Sequence, residues 1–544
     1  MTFLIAFCVS ILLTSILVPL FMKVGIRMGI LDQPGARKVH TQPIPRTGGA
    51  AVIIGSLVPF ILIVKNSQLL LGICLGALCI LLVGLCDDMW DIDYKWKFFG
   101  QFLAAAITLL VCNIRVNTVI ELYHGLSINL NVISFPLSLL FLVSIINVFN
   151  LADGLDGLAG GSCLLIFCCI AFFAYFREEF LTVALCVCMI GAIIGFLRYN
   201  THPATVFLGD TGSLFLGLMV GVSVTLLTRG ECIYSPALSL YIIGVPIMDT
   251  SMVILERLMD HHPVFKADKN HLHHKLMKIG FRHSEAVAII YSMQFLMILL
   301  AWNLRFCVDG LLLAIYLLLL GAFLTFFFLH KKGCLSIPPI HRQPDRVDNT
   351  ATLIKSRFPS TSSVNRMAWY GLMAGMFLFA LLCPLTVRPL SRDIGIICCT
   401  LILGILLLKI LKAGLMKTTA KFAAYFLSLF YISSMESQTS LFPTVFNMLF
   451  LSMGICYIFY LVTTAESVPV STMDYLLLIG VISILFVPRA YPELIHLKNI
   501  TIRTLFMIFY IELFFFKLKD EKFSFMLWSI LFTLGLTCAS ALLV

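Results

Sequence analysis

"FPLSLLFLVSIINVFNLADGLDGLAGGSCLLIFCCIAFFAYF", residues 135–176, sets two apolar runs on either side of a polar segment that carries Asn150, Asp153, Asp156 and the glycines Gly154, Gly157, Gly160 and Gly161. Each run approaches the roughly 20 residues a helix needs to cross a hydrocarbon core about 30 Å thick. Such runs recur along all 544 residues, only 12% of which are charged, where soluble domains average roughly 25%. Mean hydropathy is +1.00. Helices satisfy their own backbone hydrogen bonds in lipid, so the expected fold is an all-α, polytopic integral membrane protein. Spans are predicted near 3–22, 48–64, 69–86, 98–113, 133–149, 162–176, 180–197, 212–228, 235–255, 285–303 and 310–330, about eleven in all. The first has no small-residue cleavage site before the basic loop that follows and reads as a crossing, not a removed leader.

The loop after the first span holds Lys23, Arg27, Arg37, Lys38 and Arg46 and is therefore assigned to the cytoplasm, with the N-terminus outside. Counting onward places loops 23–47, 87–97, 150–161, 198–211 and 256–284 inside. These are the chemically rich ones, so a single active face is expected. Residues 331–367, rich in Pro, Ser and basic side chains, read as a cytoplasmic linker. About seven further apolar runs follow in 368–544, without a comparable acidic or histidine cluster. The formal charge of +10 lies in short loops and follows positive-inside bias, so nucleic acid is not an expected partner. The 18 cysteines fall mostly inside apolar runs with no zinc-type spacing and read as small buried or lipid-facing residues.

Five segments of the inner face carry possible chemistry. "CDDMWDIDYKWK" (86–97) crowds Asp87, Asp88, Asp91 and Asp93 ahead of Lys95 and Lys97; such carboxylates repel unless a cation or protons intervene, although a solvated interfacial loop has the same composition. Asn147, Asn150, Asp153 and Asp156 follow a three-residue spacing that a helix would bring together. In "FLGDTGSLFLG" (207–217) Asp210 opens a span, as a plain helix cap would, with Phe207 placed to stack on a base. "DHHPVFKADKNHLHHKLMKIGFRH" (260–283) offers His271, His273 and His274 among lysines, suited to phosphoryl oxygens or to zinc. "GARKVHTQPIPRTGGAAV" (35–52) adds Arg46 before a glycine pair. Hard-oxygen ligands, phosphate donors and a membrane together point to metal-assisted phosphoryl transfer between a nucleotide-activated donor and a lipid acceptor. A transporter is the rival reading; it predicts charges near mid-membrane and related halves, and no repeat is evident.

The motifs "DDMWD", "NVFNLADGLDGLAGG", "FLGDTGS" and "HLHH", in this order and with "PIPRTGG", resemble the polyprenyl-phosphate N-acetylhexosamine-1-phosphate transferases, in the branch typified by UDP-GlcNAc:undecaprenyl-phosphate GlcNAc-1-phosphate transfer. The resemblance covers about residues 1–330. It implies UDP-N-acetylhexosamine and polyprenyl phosphate as substrates, with UMP and a lipid diphosphate sugar as products. It also implies a bacterial inner-membrane location with a cytoplasmic active site, and the start of a cell-surface glycan. By resemblance Asp210 is the principal Mg2+ ligand, with Asn150 on or near the metal and Mn2+ as the alternative ion. Asp87 and Asp88 match the catalytic acidic pair, Asp153 and Asp156 the uridine pocket, Phe207 the uracil-stacking aromatic, and Lys97 a lysine near the acceptor phosphate. Arg46, His271, His273 and His274 are assigned to substrate binding, and a homodimer is possible in principle. The histidine pattern favours this branch over peptidoglycan lipid I synthesis, the alternative within the family. Residues 368–544 have no counterpart in the usual plan.

Overall fold

The computed structural model describes residues 2–332 except 34–41, 65–67, 117–118, 124–125, 130, 230–233 and 262–269, and beyond them only scattered helical positions. The expected linker 331–367 and the expected spans of 368–544 lie almost wholly outside the described residues. The chain divides into two compact units, and the one treated below is Thr2–Arg342 with Ser471–Leu476.

Thirteen helices occur among the described residues: α1 Thr2–Met28, α2 Gly48–Ile63, α3 Gln68–Trp90, α4 Tyr94–Cys112, α5 Ser134–Ala152, α6 Leu158–Phe176, α7 Phe180–Asn200, α8 Gly209–Thr228, α9 Ser239–Ile242, α10 Gly244–Met259, α11 Leu272–Ile279, α12 His283–Leu304 and α13 Asp309–Lys331. Nine are long and apolar enough to cross a membrane, ten if the bent pair α9–α10, with the 3-10 turn Pro236–Leu238 before it, counts as one span. Two short antiparallel pairs, Leu31–Asp32 with Ile44–Pro45 and Val119–Tyr123 with Leu126–Asn129, are the strands among the described residues.

α8 is the axis of the unit. Every residue from Thr211 to Thr228 is buried, as expected of a helix that is apolar all round, and α2, α3, α5 and α6 pack against it. Whatever stands on its first turn is thereby placed at the centre of one end of the bundle. Small residues allow the close crossings: the α-carbon of Gly49 meets that of Gly212 so tightly that a side-chain carbon on Gly49 would lie 2.2 Å from the Gly212 nitrogen.

Two differences from the sequence reading matter for the site. The ninth span, expected as one helix over 235–255, is broken and bent by 86° at Ile243. Pro246 has no N–H to give, and the interrupted ladder is repaired from α12: the fully buried Gln294 donates to the Ile242 carbonyl at 2.7 Å and accepts from the Val245 N–H at 3.0 Å. Second, the polar "loop" 87–97 is mostly helix. α3 runs on to Trp90 and α4 starts at Tyr94, capped by Asp93, whose carboxylate accepts the Lys95 N–H at 2.9 Å. Asp87 and Asp88 are therefore last-turn residues, held by a helix.

Candidate active site

Adjacent positions on a helix point about 100° apart, and Asp87 and Asp88 go to different partners. Asp88, 8% exposed, turns to the start of α8, where its carboxylate accepts the Asp210 N–H at 2.9 Å, the Thr211 N–H at 3.0 Å and the Thr211 hydroxyl at 2.6 Å. A carboxylate at a helix N-terminus satisfies orphan amides and favours the dipole; here the two amides it holds are those of Asp210 and its neighbour. Gly209 makes room for this. It sits at φ +72°, and a Cβ would stand 2.3 Å from the Arg46 carbonyl oxygen and 2.8 Å from Asp88 Oδ2.

Asp87 turns to Lys97 on the first turn of α4, whose Nζ lies 2.7 Å from Asp87 Oδ2 and 3.0 Å from Asp210 Oδ1. Asn150, on the last turn of α5, donates from Nδ2 to the same Asp210 oxygen and to Ser213 Oγ at 2.9 Å. Asp210 is thus where α3, α4, α5 and α8 converge. Two carboxylates, Asp87 and Asp210, share one lysine, and the donor set is hard oxygen, the chemistry that suits Mg2+. Asp210 and Asp87 fit such an ion, and Asn150 would join them with its amide turned to present the oxygen.

Beside Asp210 opens a cavity of about 1020 Å3, whose walls include Arg46, Asp88, Asn150, Asp153, Asp156, Phe207, Asp210, His274, Lys278 and His283. Arg46 is ion-paired to the buried Asp32. The three-residue series does not continue as a helix: α5 ends at Ala152 and Asp153 leaves it at φ −81°, ψ 61°. Asn147 belongs to packing instead, donating to Gln101 and to the Val143 carbonyl. Asp156 accepts the Ala204 N–H at 3.1 Å and lies 2.8 Å from His202 Nδ1, and the His202 ring stacks on His283 at 4.2 Å. Asn200 ties this loop to its neighbour, accepting the Gly157 N–H and donating to the Val206 carbonyl. Donor atoms of Asp156, His202 and His283 lie within 4.8 Å of one another. In-plane lone pairs of two nearly parallel rings do not converge on one ion, so the cluster is better described as a hydrogen-bonded stack.

Burial, and then the charges of Asp210, Asp88 and Asp156, raise the Asp153 carboxyl from its ordinary 3.8 to about 7. Between these values the folded state binds a proton that the unfolded state has lost, so this group costs stability as pH rises through the window, and the full cost is present above about pH 7. Asp153→Asn is expected to melt higher than the parent in the ligand-free state, by a margin that widens from about pH 5 to about pH 8. A margin independent of pH would contradict this.

The three histidines of "HLHH" separate. His274 lines the cavity. His273, 3% exposed, lies edge-on to Gly154, where a Cβ would meet its Nε2 at 2.3 Å; burial, then the adjacent His274 ring, pushes its pKa down to about 3. His271 is buried against Asp249 of α10. Asp32, Ser213, His202, Asn200 and Asp249 were not anticipated from sequence. Asp249 carried a signal: it is an ionisable residue in an apolar span, which by default marks a functional position. Arg37, Lys38, His40, His262, Lys266 and Lys269 lie outside the described residues.

The profile of glycosyl transferase family 4 matches residues 70–228. The chain is 35% identical over 294 residues to a probable undecaprenyl-phosphate N-acetylglucosaminyl 1-phosphate transferase of Bacillus subtilis, a match covering 54% of this chain and 82% of that protein. It is 33% identical over 299 residues to a decaprenyl-phosphate N-acetylglucosaminephosphotransferase of Mycolicibacterium smegmatis, covering 49% and 73%. With an undecaprenyl-phosphate alpha-N-acetylglucosaminyl 1-phosphate transferase of Yersinia pestis the identity is 29% over 323 residues, covering 57% and 87%. A multi-pass helical bundle with an acidic cluster at one end, matched over most of the length of such relatives, belongs to glycosyl transferase family 4, among the polyprenyl-phosphate N-acetylhexosamine-1-phosphate transferases.

Proposed function

We propose that the protein transfers N-acetylhexosamine-1-phosphate, with N-acetylglucosamine the first sugar to test, from a UDP-sugar to a polyprenyl phosphate on the cytoplasmic side of a bacterial inner membrane. UMP leaves, and the lipid diphosphate sugar starts a cell-surface glycan. The observation that carries this reading is the position of Asp210, between a nucleotide-sized cavity on one side and the Asp87–Lys97 pair on the other. Helix ends next to that pair expose Trp90, Tyr94, Trp96 and Phe99, the aromatic composition of a membrane interface, from which a lipid phosphate would arrive. The transporter reading fits less well, because the Asp87, Asp88 and Asp210 group stands at helix ends.

In this reaction an oxygen of the acceptor phosphate forms a bond to the β-phosphorus of the donor while the bond to the bridging oxygen breaks, and that electron pair departs on UMP. An ionised phosphate monoester, with a second pKa of about 6, has no proton on the attacking oxygen at neutral pH. Asp87 therefore has positioning to do, holding Lys97 toward the acceptor phosphate. Arg46, His274 and Lys278 face the donor diphosphate, and Phe207 offers a face for the base. Asp210, Asn150 and Asp87 would hold a Mg2+ ion, which would supply neutralisation of the diphosphate and of the charge developing on UMP. One phosphoanhydride is lost and one gained, so the equilibrium constant lies near one.

Purified protein with a polyprenyl phosphate and a panel of UDP-sugars is expected to release UMP, to stop on addition of EDTA, and to recover with Mg2+. No UMP from any UDP-amino sugar would end this reading, and turnover in EDTA would end its metal component.

A further inference from the structure

We infer that Asp249 is a positioning residue of the donor site, acting through His271 on the histidine-bearing helix α11. The inference rests on the transfer reaction proposed above. Asp249 stands in the second half of the broken span, 7% exposed, and both its oxygens reach one point of α11: Oδ1 accepts the Leu272 N–H at 2.6 Å and Oδ2 lies 3.0 Å from His271 Nδ1. His271 is the N-cap of α11 but makes no capping bond of its own, so Asp249 supplies the cap from another helix.

Capping alone does not account for a carboxylate here. A neutral Ser or Asn would accept the Leu272 N–H as well, without the cost of placing a charge in an apolar helix. What the carboxylate adds is a defined partner for His271. It accepts a hydrogen bond from the Nδ1–H, fixing the tautomer and the ring plane. The consequence extends along the helix, because His271, His274 and Lys278 share a face at spacings of three and four residues. His274 and Lys278 are the members that line the cavity. Anchoring His271 sets the rotation of α11, and with it the direction of the two cationic or hydrogen-bonding groups facing the donor diphosphate. The break at Ile243 contributes to the same end, since the 86° bend puts α10, and so Asp249, within reach of α11.

Asp249→Asn separates positioning from capping. The amide oxygen still caps Leu272, but the amide nitrogen now donates to His271 Nδ1 and imposes the opposite tautomer. In the full-length protein this variant is expected to raise KM for the UDP-sugar about tenfold or more, to leave KM for the polyprenyl phosphate unchanged, and to weaken UMP binding in calorimetry. In a His271→Ala background the same substitution is expected to add nothing further. An Asp249→Asn protein with parental kinetics would reduce Asp249 to a cap and overturn the inference. So would an equal rise in both KM values, or an effect that persists without His271. Failure of the parent protein to release UMP would instead remove the reaction itself, and the UMP-binding measurement would still decide the role of Asp249.

Discussion

Asp210→Asn should lower the rate of UMP release about 1000-fold or more and leave the melting temperature of the ligand-free protein unchanged. The substitution is isosteric, and the new amide oxygen still accepts from Asn150, whose second contact to Ser213 is untouched. The amides at the start of α8 remain bound by Asp88. What disappears is the negative charge that draws Lys97 across from Asp87 and that would hold a divalent cation against the diphosphate. A neutral amide is a far weaker ligand for a hard cation than a carboxylate. An Asp210→Asn protein that keeps a tenth of parental turnover would move the centre of the chemistry elsewhere.

Most spans of residues 1–330, though not the break at Ile243 or the short helix α11 within the expected loop 256–284, were readable from hydropathy because lipid imposes one solution on any long apolar run. Their ends were not. Hydropathy windows trim polar residues, and in this protein the polar residues on the terminal turns are the site: Asp87 and Asp88 close α3, Lys97 lies in the first turn of α4, Asn150 in the last turn of α5, and Asp210 in the first turn of α8. The motifs showed which side chains gather, but not how the work divides among them. "DD" reads as one acidic pair, whereas the helix turns its members to Lys97 and to the α8 amides respectively. "HLHH" reads as one cluster, whereas one ring is anchored to Asp249, one is packed against Gly154 and one lines the cavity. Pro246 and Asp249 are local marks on the ninth span, but what they meet is not local: Gln294 of α12, which repairs the break, and the backbone and histidine of α11, which Asp249 holds, come from later in the chain.

Lys97→Met should produce the second large effect, a fall in turnover of about 100-fold or more, accompanied by an opposite change in metal affinity. The Lys97 side chain is 18% exposed and bridges Asp87 and Asp210. Its removal leaves those two carboxylates, with Asp88 close behind, without a fixed cation, a costly state for partly buried charges. The ligand-free variant should therefore melt below the parent. Mg2+ fills the same deficit, so the midpoint of activation by Mg2+ should shift to lower concentration, and Mg2+ should raise the melting temperature of the variant more than that of the parent. Turnover stays low at saturating Mg2+, because an ion that compensates Asp87 and Asp210 does not replace a lysine amine directed at the acceptor phosphate. Lys97→Arg tests the last step. Its planar fork keeps the charge but spreads it over a larger, rigid group, so it should restore the melting temperature more fully than the rate. Full recovery of turnover by Mg2+ alone in Lys97→Met would show that Lys97 serves only to neutralise its neighbours.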